Sequence, residues 1–161
     1  MFSRMMKLVN ATDSLYLTPP QQKDVLDYAK SLPRRFAAAR AVQAAETPLV
    51  EQALKAFQAA FPELGTPLDL GWGSADDDLR LVLRALANEM LMDDTDSAEG
   101  AVLAHLRRSL GYLGVPAGAI EELFAGLRDA AVNTLKPDAF ALLAPHFDRA
   151  VALAAGTTVA V

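Results

Sequence analysis

Cysteine is absent from this 161-residue chain. That one absence removes disulfides, thiolate nucleophiles, thiolate metal sites and thioether-linked cofactors. Histidine occurs only at His105 and His146, and no metal spacing such as His-Glu-x-x-His is present. Positive charge is also in short supply. Fifteen Lys and Arg stand against 20 Asp and Glu, for a net charge of −5. No basic stripe suits nucleic acid, and no nucleic-acid partner is expected. A convincing Ser-His-Asp order and a Gly-rich phosphate loop are missing too. The adjacent carboxylates Glu121 and Glu122 cannot face one another on a helix, so no catalysis is expected. The apolar opening from Met1 to Val9 is too short for a signal core or a membrane span. A cytoplasmic protein with no membrane association is therefore the expectation, and the last residues from Ala154 read as a frayed end.

What the chain does contain is helix-forming residues. Hydrophobic residues make up 52% of it, led by Ala and Leu, which lose little on entering a helix. Phe2, Met5, Met6 and Val9 follow the i, i+3, i+4, i+7 spacing of a short first helix. Such a helix is too short to stand alone and must pack on something. Thr18-Pro19-Pro20 reads as an N-cap and helix start, and Val25, Ala29, Leu32 and Phe36 carry one face onward. Pro33 predicts a kink or break near Ser31. Thr47-Pro48 repeats the start signal before the stripe Val50, Leu54, Phe57, Phe61.

After a loop from Glu63 to Gly73, Ser74 and the acidic turn Asp76–Asp78 open a helix whose buried face is Leu79, Val82, Leu83, Leu86 and Met90. A further helix runs from near Ser97 to Gly114. Pro116 precedes the stripe Ile120, Leu123, Phe124, Leu127, and Pro137 precedes Phe140, Leu143, Phe147, Val151. No strand-like alternation competes. Seven or eight helices in one all-α domain are expected.

Several runs resemble phycobiliprotein chains. Leu8-Val9-Asn10-Ala11-Thr12-Asp13 followed by Tyr16-Leu17-Thr18-Pro19 is similar to the family's N-terminal helix junction. Asp78, Leu83-Arg84 and Asp94 are similar to its central chromophore helix. Ser109-Leu110-Gly111-Tyr112-Leu113-Gly114-Val115-Pro116 is similar to its Tyr-x-Ser-Leu-Gly-x-Pro turn. The resemblance implies a globin-like helical fold with two extra N-terminal helices. It implies one domain over 1–161, with about 1–32 as the extension and about 33–156 as the globin-like core. The resemblance is to allophycocyanin-like chains, and it implies a linear tetrapyrrole, normally carried on a cysteine of the central helix, and pairing of two chains through the N-terminal helices.

The departures are specific. Ala75 stands where the attachment cysteine would be. Asp76 and Asp77 replace the expected cations and would repel propionates. Leu81 and Val82 occupy the place of a tyrosine before Leu83-Arg84. This combination resembles the relatives found beside bilin-synthesis enzymes, the bilin biosynthesis-associated globins. The resemblance implies a carrier, scaffold or chaperone-like partner of such enzymes, with at most a non-covalent bilin.

By that resemblance Asp78 is a candidate contact for pyrrole nitrogens, with Trp72 and Tyr112 lining the same pocket. Asp78 equally suits the dipole of an acidic first helical turn. The family also bridges two chains with an aspartate and an arginine, here Asp13 and Arg84. Arg84 is alternatively solvated or paired with Asp76 or Asp77 on its own helix. A homodimer would use Asp13, Arg84, Phe2, Met5, Met6 and Val9, twice over by symmetry. Two alternatives stay open: a haem-binding globin or sensor ligated by His105, and an interaction module with no ligand.

Overall fold

Alanine, leucine and well-placed caps yield helices throughout the computed structural model, which describes residues 16–64, 75–93, 99–112 and 114–156. Five α-helices are present among them: α1 (Pro19–Ala60), α2 (Ala75–Met92), α3 (Glu99–Tyr112), α4 (Ala117–Thr134) and α5 (Pro137–Ala154). A 3-10 turn at Pro62–Leu64 follows α1. No strand occurs among the described residues.

Of the kink or break expected near Ser31, α1 shows no break, and it makes no new start at Pro48. It runs unbroken for 42 residues through both Pro33 and Pro48, roughly 60 Å at 1.5 Å per residue. Among the described residues, the segments expected on either side of Pro33 and Pro48 are therefore one helix. Each proline deletes an N–H and releases the carbonyl four residues earlier. Here those carbonyls belong to Ala29 and Ala44, both exposed, as are Pro33 and Pro48 themselves. Water can satisfy groups on that side, so the packed side keeps the helix going. Near Pro33, Ser31 Oγ donates to the Tyr28 carbonyl at 2.7 Å and accepts from Arg35 Nε at 2.8 Å. The start of α1 follows the sequence: Gln21 Oε1 accepts from the Thr18 N–H at 2.8 Å, one half of a capping box.

α1 packs most extensively on α4 and α2, while α5 lies against α1, α2, α3 and α4. The apolar stripes meet at one core. Leu49, Val50, Leu79, Leu83, Leu86, Met90, Leu127, Leu143 and Phe147 are all essentially removed from water. The expected stripe Val25, Ala29, Leu32, Phe36 does not join them, and Phe36 is 53% exposed.

Two chain reversals rest on local chemistry. α2 ends at Asp93, which takes a left-handed φ of 50°, and side chains of α1 cap its last carbonyls. Arg35 Nη1 donates to the Met90 carbonyl, Arg35 Nη2 meets Asp93 Oδ1 at 2.5 Å, and Tyr28 donates to the Leu91 carbonyl at 2.9 Å. α3 ends as its sequence predicts. Gly114 adopts φ 81°, its N–H bonds to the Gly111 carbonyl, and the Val115 N–H bonds to the Leu110 carbonyl, both at 3.0 Å. Buried Val115 and Leu110 complete the hydrophobic contact of a Schellman turn.

Candidate functional site at the start of α2 and its groove with α1

The first turn of α2 carries the residues of greatest interest. Ala75 is buried at its start, and Asp76, Asp77 and Asp78 place three carboxylates where the helix dipole favours them. Asp76 is engaged within the chain. Its Oδ2 accepts from Arg80 Nε at 2.6 Å and its Oδ1 from Arg80 Nη2 at 3.2 Å, one helical turn away. Asp77 is exposed and Asp78 is partly buried.

Arg80 and Arg84 both reach across to Glu46 on α1. Arg80 Nη1 donates to Glu46 Oε1 at 3.3 Å and to Thr47 Oγ1 at 3.1 Å. Arg84 takes the same carboxylate as a fork, Nε to Oε2 at 2.9 Å and Nη2 to Oε1 at 2.6 Å. The Glu46 side chain is only 14% exposed, whereas that of Arg84 is 63% exposed. The bond from Arg84, with help from Arg80, holds the Glu46 carboxyl below the usual carboxylate range although burial opposes the shift. Bonding to Asp76, then to Glu46, raises Arg80, and bonding to Glu46 raises Arg84. The four side chains form one alternating chain of charge, Asp76–Arg80–Glu46–Arg84. In such a chain each ion is partnered and its desolvation is offset.

Beside this chain lies a groove of about 700 Å³ between α1 and α2, walled by Phe36, Val42, Glu46, Arg84, Ala87 and Leu91. A second groove, about 520 Å³, runs on the other side of α1 between Ala38, Ala41, Leu135 and Leu142, with Arg34 and Lys136 among its polar lining.

The sequence-derived candidates fall differently around these features. Ala75, Asp78 and Arg84 share α2. Tyr112 closes α3 and is 83% exposed. Of the positions read as replacing a tyrosine, Leu81 points outward and Val82 is buried. His105 lies on α3, but its side chain is outside the described residues. Trp72, Asp13, Phe2, Met5, Met6 and Val9 also lie outside them. Among the described residues, the partner of Arg84 is Glu46 on another helix, and it is Arg80 that takes Asp76.

Two charged groups escaped sequence reasoning. Glu46 was hidden in a run of alanines. Glu89 sits inside the core at 4% exposure, with its Oε2 3.1 Å from Nδ1 of His146, which is 6% exposed. A signal existed for Glu89: it falls three residues after Leu86 and seven after Val82, on the buried face of α2.

No group of three or more His, Asp or Glu is placed to hold a metal, and no helix is long and apolar enough to cross a membrane, among the described residues. The donors at the start of α2 also fail the test for a covalently held bilin. Ala75 offers no thiol, and the neighbouring Asp76 is spent on Arg80.

An all-helical fold with Ala75 and Asp78 in the first turn of its second described helix fits the phycobiliprotein pattern without its anchoring cysteine. A family model described as phycobilisome protein matches residues 7–153. The chain belongs to the phycobilisome protein family. No curated protein matches it.

Proposed function

We propose that this chain is a non-catalytic phycobiliprotein-like protein associated with bilin or haem-degradation metabolism. It acts as a carrier, scaffold or chaperone-like partner for a tetrapyrrole or its synthesis enzymes, and belongs with the bilin biosynthesis-associated globins of the family. The observation that carries this reading is Ala75. Family membership brings a tetrapyrrole-binding ancestry, and the residue at the head of α2 has no sulfur with which to hold one. A bilin would rest against Asp78, with Trp72 and Tyr112 as further contacts, and would be exchangeable.

The chain acts as a homodimer in the cytoplasm, using Asp13, Arg84, Phe2, Met5, Met6 and Val9, as the resemblance implies.

Absorption spectra of the purified protein with biliverdin and, separately, hemin test the ligand. A red-shifted, structured bilin band that survives gel filtration is expected. A sharp Soret band lost in His105→Ala overturns the reading in favour of a haem protein. No change with either leaves a scaffold with no pigment.

A further inference from the structure

The groove on the other side of α1 has a floor of a distinct kind. Arg34, Ala38, Ala41 and Ala45 stand at i, i+4, i+7 and i+11, one face of α1 over roughly 16 Å. The three alanines end at Cβ, so nothing long projects from that face beyond Arg34. Leu135, before α5, and Ala139 and Leu142, in its first two turns, make the facing wall. Ala41, Ala45, Ala139 and Leu142 pack against the core yet are only partly buried. The groove is thus a strip of core left uncovered. Its volume of about 520 Å³ falls within the roughly 300–1,000 Å³ of small-molecule sites. Two of its lining residues, Arg34 and Lys136, are exposed cations. Among the described residues neither makes an ion pair or a side-chain hydrogen bond. Arg35, Arg80, Arg84 and Arg128, by contrast, each meet a carboxylate. Asp138 also lines the groove, but it stands in the first turn of α5, where it complements the helix dipole. Two cations and one carboxylate leave the lining at +1.

We propose that this groove binds a free long-chain fatty acid, its alkyl chain along the alanine face and its carboxylate on Arg34 and Lys136. Three features select that class. The lining holds no aromatic residue, so a broad conjugated ring system finds no stacking face there, whereas a thin alkyl chain needs none. The floor offers no side-chain hydrogen-bonding group, so the length of the ligand gains by apolar burial alone. The charge of +1 matches a single carboxylate, and an arginine with a lysine supplies its donors without first breaking a bond within the protein. The site lies across α1 from the groove with α2 and is independent of the pigment reading above.

Isothermal titration of the full chain with laurate, decanoate, octanoate and dodecanol provides the test, with urea unfolding of each variant alongside. Laurate is expected to bind once per chain. Full burial of a methylene is worth roughly fourfold in Kd, so in a groove open on one side each methylene removed should cost about twofold. Arg34→Gln and Lys136→Gln are each expected to raise the laurate Kd about fivefold, the loss of one solvent-exposed charge contact, and to leave dodecanol unmoved. Ala37→Trp, at an exposed lining position, should block both ligands. Arg40→Gln, the same loss of charge in the groove on the α2 side, should change neither. Absence of saturable binding at one laurate per chain overturns the site. Binding that survives Ala37→Trp, or that Arg40→Gln weakens as much as Arg34→Gln does, overturns the groove as its place. Dodecanol bound as tightly as laurate overturns the part given to the two cations. Biliverdin that displaces laurate and is itself weakened by Arg34→Gln overturns the fatty acid as the occupant.

Discussion

Glu89 Oε2 and His146 Nδ1 lie 3.1 Å apart, tying α2 to α5 inside a core whose other buried residues, among those described, are apolar. Such a pair contributes little net stability while both members are present, yet is costly to break, because the remaining group loses this bond inside the core. We expect Glu89→Leu and His146→Phe each to lower unfolding free energy by about 1–3 kcal/mol. The double variant should be less destabilised than the sum of the two. Urea midpoints at constant m-value measure this directly. Strict additivity would mean the two side chains do not act as a pair.

Most helices of this fold were legible because their signals are local. The acidic turn and five-residue stripe of α2, Gly114 at the end of α3, and Pro137 at the start of α5 all operate within a few residues of themselves. α1 was misread for a complementary reason. Whether an internal proline breaks a helix depends on which side of the helix faces water. The packing of α4 and α2 on α1 decides that, not the sequence around Pro33 or Pro48. The site divides the same way. Ala75 and Asp78 are visible from the order of residues along one helix, whereas the partnership of Glu46 with Arg84 spans 38 positions and is created by the crossing of α1 and α2.

That partnership has a pH signature. Glu46 titrates below its ordinary value of 4.5 in the folded chain, so folding favours its ionised form. Its contribution is therefore fully present above the unfolded pKa and is lost as pH falls through the folded one. We expect wild type to be more stable than Glu46→Gln at neutral pH, and the difference to shrink from about pH 4.5 downward. Thermal unfolding of both proteins from pH 7 to pH 3 checks it. A gap that stays constant across that range would show that Glu46 does not titrate to the benefit of the fold.

The cap on α2 makes a comparison between two donors. Arg35 supplies the Met90 carbonyl, Ser31 and Asp93, whereas Tyr28 supplies one bond to the Leu91 carbonyl. Hydrogen bonds from charged groups contribute about 1.5–3 kcal/mol and neutral ones about 0.5–1.5 kcal/mol. We therefore expect Arg35→Met to destabilise more than Tyr28→Phe. Hydrogen exchange should localise the Arg35→Met effect to the last turn of α2 and the facing stretch of α1. An Arg35→Met protein as stable as Tyr28→Phe would show that the charge of Arg35 is not what holds the α2 terminus.

The two prolines inside α1 lead to an expectation of gained stability. Alanine at Pro33 or Pro48 restores the backbone bond to the carbonyl of Ala29 or Ala44, and an interior proline costs about 3 kcal/mol relative to alanine. Part of that cost has already been relieved by exposure of both sites, and proline also restricts the unfolded chain by about 0.4–1 kcal/mol in its own favour. The balance is a gain of roughly 1–2 kcal/mol for each of Pro33→Ala and Pro48→Ala, a few degrees in Tm for a chain of this size. The two positions are 15 residues apart on one helix, four turns, so their effects should add. A loss of stability in either variant would mean that the backbone geometry imposed by that proline is needed to seat α1 against α2 and α4. In that case the proline would be part of how the groove is shaped, and the dimer Kd would shift with it.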